Sequence, residues 1–187
     1  MESTQSLANQ FLIAMPALMD PNFVRTVTLI CQHNEDGALG VVINRSTTLK
    51  LHQVLDQLSV PKDNISEPDA PVFLGGPVQT ERGLILHEGL GEWETTLPIN
   101  DMLGLTTSKD ILEAIGDNRG PKDCLLALGY AGWGSGQLER EMRENAWLSG
   151  PSDNDIIFRT PVEERWPKAA QLVGVDISRL SGQTGHA

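Results

Sequence analysis

The sequence predicts one α+β domain: a mixed, mostly antiparallel β-sheet with hairpins, flanked by about four helices. Three observations carry this. Strand-like segments come first, in hairpins, and later alternate with helical ones. The chain has 187 residues, the size of a single domain. A chain of this length buries about 70% of its unfolded surface, so its core needs no disulfide or metal staple. Apolar residues at 40% and charged residues at 21% are ordinary for a globular protein. There is no internal repeat and no low-complexity tract.

The elements follow in order. Residues 7–15 read as a strand. Asp20-Pro21-Asn22-Phe23 reads as a turn or single helical turn, with Asp as cap and Pro at the first helical position. Thr26, Val27, Thr28, Leu29 and Ile30 mark a strand over 26–33. Asn34-Glu35-Asp36-Gly37 turns the chain into a second strand over 38–44, completing a hairpin. Leu51, Val54, Leu55 and Leu58 have the spacing of a helix with one buried face. Residues 59–71 carry Pro61, Pro68 and Pro71 and read as a surface loop. Short strands over 72–74 and 84–87 flank a loop opened by Gly75-Gly76-Pro77, and weaker strands follow over 94–97 and 102–106. Ser108 caps a helix with Ile111, Leu112 and Ile115 on one side. Residues 124–128 form an apolar run, the pattern of a strand buried on both faces. A glycine-rich loop over 129–136 leads into a helix over 137–145, with Glu139–Arg143 and Arg140–Glu144 pairs. Residues 155–158 read as a strand. Thr160-Pro161-Val162-Glu163 reads as a capping box opening a helix to about Val173. The tail over 181–187 is small and polar and is expected to fray.

Composition excludes several function classes. The formal net charge is −11, whereas a duplex binder needs a clustered basic footprint. Met1 to Gln10 carry a single charge, Glu2, so neither a secretory nor a mitochondrial leader is expected. The longest apolar stretch, 11–19, is broken by Pro16 and falls short of the roughly 18 residues needed to span a bilayer. A cytoplasmic protein without a membrane partner is the expectation. Cys31 and Cys124 lie in apolar runs and read as buried, reduced thiols.

Chemistry is sought first in Gly129-Tyr130-Ala131-Gly132-Trp133-Gly134-Ser135-Gly136. Free N–H groups between a strand and a helix can hold an anion, or the glycines can simply allow a tight turn. A dinucleotide fingerprint from Gly132 fails at Gln137, and a phosphate loop from Gly129 fails at Ser135. A nucleophile elbow on Ser135 fails at Trp133 and Gln137. Of the four histidines, His33 and His87 each close a strand; His52 reads as solvent-facing and His186 lies in the tail. Cys31 and His33 are two apart on a strand and would share a face, but no metal-binding spacing accompanies them. No metal and no cofactor are implied. Gly75-Gly76-Pro77 forms a second punctuated loop, for ligand approach or a sharp bend.

These residues carry a resemblance. Phe11-Leu12-Ile13-Ala14-Met15-Pro16, Asp20-Pro21-Asn22-Phe23, His33-Asn34-Glu35 with Gly37-Ala38, and Val42-Ile43-Asn44-Arg45 resemble the opening blocks of the YqgE/AlgH family. Gly75-Gly76-Pro77-Val78 and Leu86-His87 resemble its middle blocks. Leu128-Gly129-Tyr130-Ala131-Gly132-Trp133, Gly136-Gln137-Leu138-Glu139 and Asn145-Ala146-Trp147-Leu148 resemble its later ones. One departure is Ser46, where the family usually has Pro. The resemblance implies a small bacterial, cytoplasmic, single-domain α+β protein. The family has no established biochemical activity, and part of it carries the label of a transcriptional regulator. Lys50, Lys62, Lys109, Lys122 and Lys168 are scattered, so any effect on transcription is expected to be indirect.

The expected function is regulatory, through a small molecule or a protein partner. The candidate ligand contacts are Asn44, Gly75, Gly76, His87, Tyr130, Gly132, Trp133 and Gln137. The alternative is an enzyme with His87 or His33 as base, Asn44 and Gln137 as polar contacts and Glu139 as a carboxylate. Direct DNA binding ranks last, and the oligomeric state is left open. The two leading readings need these side chains to line one concavity; if they scatter, the glycines are structural.

Overall fold

Ten strands and six α-helices make up the computed structural model, which describes residues 5–181. In chain order they are β1 (Gln10–Ala14), β2 (Val27–Asn34), β3 (Gly37–Val42), β4 (Ser46–Lys50), α1 (Leu51–Gln57), β5 (Pro71–Leu74), β6 (Val78–Glu88), β7 (Thr96–Asn100) and β8 (Leu103–Thr106). Then come α2 (Lys109–Gly116), β9 (Cys124–Gly134), α3 (Gln137–Arg143), β10 (Trp147–Pro151), α4 (Asn154–Phe158), α5 (Arg165–Leu172) and α6 (Ile177–Ser181). A 3-10 turn, Val162–Glu164, leads into α5. Four of the helices have seven residues or more, matching the expected number.

The strands form one curled sheet, a half-barrel, in the order β10-β1-β2-β3-β9-β6-β8-β7. Among the described residues every pairing is antiparallel except β5 on β9. Residue alternation divides the core. Phe11 and Ile13 of β1, Leu125 and Ala127 of β9, and Leu84 and Leu86 of β6 point to the concave face, which α4, α5 and α6 cover with Ile156, Ile157, Ala169, Ala170 and Ile177. Ile85 and Leu126 point to the convex face, under Leu55 of α1 and Ile111 and Leu112 of α2. Leu12, Ala131 and Trp133 meet Leu138 of α3 in a third cluster. There Phe23, Trp133 and Trp147 stack with ring centroids 5.4 to 6.3 Å apart. The curl brings the two ends of the sheet together, and Asn100 donates to Asn9 at 2.9 Å.

The sheet turns on β9. One of its edges carries β6, from Cys124 opposite His87 to Tyr130 opposite Val78. Its other edge carries β5 at Leu126 to Leu128 and then β3 at Ala131 to Gly134. The chain therefore crosses from one edge of β9 to the other between β5 and β6, within Gly75-Gly76-Pro77. The crossing is too close for side chains. A Cβ on Gly76 would lie 2.1 Å from the Tyr130 carbonyl carbon, and one on Gly75 would lie 2.4 Å from the Gly129 oxygen. Gly129, at φ +75°, would place a Cβ 2.6 Å from the Gly76 oxygen. Gly75 is held from both sides: its N–H donates to Leu128 and its oxygen accepts from Val42, each at 2.8 Å.

Several expectations need correction. Residues 129–134 are strand, not loop, because β3 and β6 flank them. Residues 155–158 lie in helix α4 rather than a strand. Asp153 Oδ1 accepts the Ile156 N–H at 3.1 Å as a cap, and both isoleucines enter the concave core from one short helix. β4, β10 and α6 were not expected; β10 is stabilised by five-residue pairing with β1, a long-range contact. Ser46, at the family's Pro position, opens β4 opposite Phe73. β6 begins at Val78, with a register shift between Val78 and Gly83. Leu58 leaves the helical stripe as the C-cap of α1, 44% exposed.

The Thr160 capping box does not form: Thr160 Oγ1 donates to the Asp155 carbonyl at 2.9 Å, and the 3-10 turn intervenes before α5. Ser108 sits at the cap position of α2, but its hydroxyl donates to Asp110 rather than capping. Glu139 turns from Arg143 to His33 Nε2 at 2.6 Å. A register shift between Ile30 and Gln32 separates Cys31, in the concave core, from His33, which faces α3. Residues 182–187, with His186 and nearly all of the expected fraying tail, lie outside the described residues.

The crossing makes a quantitative prediction. Gly76→Ala forces backbone apart and should cost about 3 kcal/mol or more in urea unfolding. Gly136→Ala, at φ +72° but with nothing within 4 Å of its Cβ, should cost only about 1–2 kcal/mol. Equal losses would show that the Gly76 contact is relieved by relaxation.

Candidate functional site

The eight candidate contacts do not converge on one concavity. Asn44 pins the start of β2: its Oδ1 accepts from Val27 N–H and its Nδ2 donates to the Arg25 carbonyl, both at 2.9 Å. Gly75, Gly76 and the Tyr130 backbone meet at the β9 crossing. Gly132 pairs with Leu39. Trp133 is buried in the aromatic cluster, and Gln137 Oε1 accepts the Gly134 N–H at 3.0 Å. His87 lies opposite Cys124 at the start of β9, whereas Gln137 bonds at its end. Ten strand residues separate those points, roughly 30 Å.

His87 is fully buried and engaged at both ring nitrogens. The Gly89 carbonyl, 2.7 Å from Nδ1, can only accept, so Nδ1 carries the proton. Nε2 therefore accepts from Thr106 Oγ1 at 2.7 Å, and Thr106 in turn accepts from Thr96 Oγ1 at 2.7 Å. Burial holds this imidazole below its ordinary pKa, against the opposing pull of the Gly89 carbonyl. It is a satisfied core histidine.

A cavity lies elsewhere, where β5 leaves β9. β5 pairs with β9 only from Leu126 onward, so Cys124 and Leu125 have β6 on one edge and no strand on the other. The gap measures about 430 Å³ and draws side chains from both faces of the sheet. Leu51, Ile85, Ile115 and Leu126 come from the convex side, and Phe73, Leu125, Ile157, Phe158 and Arg165 from the concave side. Exposed Ser66, Glu67, Asn118 and Lys122 form its rim. None of the eight candidates lines it. Trp133 alone among them borders another, smaller cavity of about 220 Å³, with Gln32, Asn34 and Asp36.

Two groups in the 430 Å³ cavity bear on chemistry. Burial, with the charges of Glu67 and Asp123, pushes the Cys124 thiol up to about 11, so it stays protonated and weakly nucleophilic at neutral pH. Arg165 opens α5 and is only 6% exposed. Its Nε donates to the Thr160 carbonyl at 2.9 Å, its Nη1 donates to the Ile43 carbonyl, and its guanidinium carbon lies 5.1 Å from the Phe73 ring centroid. Burial pushes its pKa down to about 10, with Glu163 pulling the other way, so it remains a cation. Among the described residues no carboxylate forms an ion pair with it. The sequence reading missed Arg165. The available signal was a charge on the apolar stripe of its helix, four residues before Ala169 and eight before Val173.

The AlgH-like family model matches residues 11–178. The chain belongs to the AlgH-like family. A UPF0301 protein of Nitrosococcus oceani is 56% identical over 179 residues, covering 96% of each chain. One from Thioalkalivibrio sulfidiphilus is 53% identical over 187 residues, covering all of both. The solution structure of the AlgH protein from Pseudomonas aeruginosa is 46% identical, covers 100% of this chain and 99% of that one, and superposes with a TM-score of 0.78. A crystal structure from Corynebacterium diphtheriae, 18% identical over 97% of this chain and 94% of its own, shares the family fold at a TM-score of 0.75. Among the described residues no helix is long and apolar enough to cross a membrane, and no three metal-ligating side chains converge.

His87 makes the pH prediction. With its folded pKa below the ordinary 6.5, the unfolded chain takes up a proton before the folded one does. Above pH 6.5 the group has no effect. Stability then falls as pH drops below 6.5, by at most about 1.4 kcal/mol per pH unit. Urea titrations from pH 7 to 5 should show this slope, and His87→Gln, though less stable, should reduce it; an unchanged slope in the variant would assign it to other groups.

Proposed function

We propose that this protein is a small-molecule binding protein whose ligand occupies the 430 Å³ cavity where β5 leaves β9. The observation that carries this reading is the buried Arg165 guanidinium on the cavity wall, a cation without a carboxylate partner among the described residues. The cavity is within the range of pockets that hold small organic molecules, about 300–1,000 Å³, and its walls combine apolar side chains with a comparable share of polar surface. The Cys124 thiol remains protonated, which favours binding over thiol chemistry. A regulatory role fits this arrangement: the ligand biases the protein's contact with a partner. With a net charge of −11, an influence on transcription runs through that ligand or partner rather than through phosphate contacts.

Thermal-shift screening of the full chain tests the reading. A ligand at a hundred times its Kd stabilises by about 2.7 kcal/mol, which raises Tm by about 5–10 °C in a protein of this size. Cys124→Phe, which puts a ring into the cavity, should abolish the shift for the same compounds. Hits that persist in that variant would place the ligand elsewhere. In gel-shift titrations the protein should leave duplex DNA unretarded at physiological salt. Retardation that falls steeply with added salt would contradict the charge argument.

A further inference from the structure

Resting on the reading of the cavity as a ligand site, the geometry points to the class of ligand: an organic acid with one carboxylate, set against Arg165, and an apolar body. The argument begins with hydrogen-bond capacity. A guanidinium has five N–H donors, and Arg165 uses two within the described residues, one on Nε and one on Nη1. Nη2 and the second Nη1 proton remain. Those two terminal nitrogens form the edge that engages both oxygens of a planar oxyanion. A buried charge lacking a counter-charge is costly, and carbonyl dipoles with one aromatic face compensate it only in part. A bound carboxylate completes the set.

The surroundings restrict the rest of the ligand. Phe73, Ile85, Leu126, Ile157 and Phe158 offer hydrocarbon, so the body beyond the carboxylate is apolar: a medium-length acyl chain or a single ring with a short chain. The charge count selects a monoanion. Arg165 is the one buried cation of the lining. At the rim the exposed charges of Lys122 and Glu67 are opposite in sign and equal in number, and Glu163 is near enough to act electrostatically on Arg165. On a chain of net charge −11, a dianionic phosphate or a second carboxylate meets an unfavourable field.

Matched compounds test this on the wild-type full chain. The probes are octanoate with octanamide, 3-phenylpropanoate with 3-phenylpropanamide, and octyl phosphate. Occupancy is read as slowed alkylation of Cys124 by N-ethylmaleimide, with peptide mapping to separate it from Cys31. Each acid should protect Cys124 at a concentration at least tenfold below its amide, and octanoate at a lower concentration than octyl phosphate. In Arg165→Gln the preference for acid over amide should shrink to within twofold. Amides that protect as well as acids would overturn the organic-acid assignment and leave the cavity standing as a ligand site. Tighter protection by octyl phosphate would overturn the monoanion assignment. No protection by any of the five would overturn the cavity reading itself. The wild-type comparison decides each outcome even if the Arg165 variant fails to fold.

Discussion

The close backbone crossing of Gly75-Gly76 over Gly129-Tyr130 is the constraint on which the rest of this molecule depends. Carbonyl and Cα atoms approach there to distances that leave no room for a Cβ. Because the chain passes over β9 at that point, β5 and β6 occupy opposite edges of the same strand. The parallel β5–β9 pairing, the fork shared by β5 and β3, and the long β6 ladder all follow. So does the cavity. β5 reaches the crossing in register with Leu126 to Leu128, which leaves the first two residues of β9 without a strand on that edge. The space beside them is closed by side chains rather than by backbone.

Two arginines six residues apart show how the fold handles charge beside that space. Arg159 is half exposed and reaches three carboxylates, Glu88, Asp123 and Asp155, at 2.6 to 2.7 Å. Those partners hold its pKa above the usual arginine value. They tie the end of β6, the approach to β9 and α4 together in a solvent-screened cluster of modest stability. Arg165 has the opposite environment: buried, bonded to two carbonyls and a ring face, and without an ion pair to a carboxylate among the described residues. The Arg159 cluster supplies its own counter-charges, whereas Arg165 is compensated by carbonyl dipoles and a ring face.

Much of this was legible along the chain, and particular residues show where legibility ended. The first hairpin, the α1 and α2 stripes and the apolar start of β9 announce themselves through short-range periodicity. Both glycine stretches stood out, but as two separate candidate ligand loops. Their purpose is mutual: each makes room for the other's backbone, and nothing in 75–77 points to 129–130. His87 was visible as a strand-end imidazole, while the Thr96–Thr106 relay that satisfies it comes from strands paired through the sheet. Ile156 and Ile157 suggested a strand by β-branching. The Asp153 cap and the concave core made them helical instead, an instance of tertiary context overriding propensity.

The sequence by itself determined the α+β class, the family and the acidic balance of the chain, because composition, motif order and local period are properties of the chain alone. The tertiary structure decided which side chains share a cavity. It dispersed the eight residues that the motifs suggested, and it gathered Phe73, Cys124, Ile157 and Arg165 from four separate segments around one gap. The physical reason is that burial and charge compensation are set by neighbours distant in sequence. An arginine on an apolar stripe becomes a buried cation only when a sheet and two helices close over it.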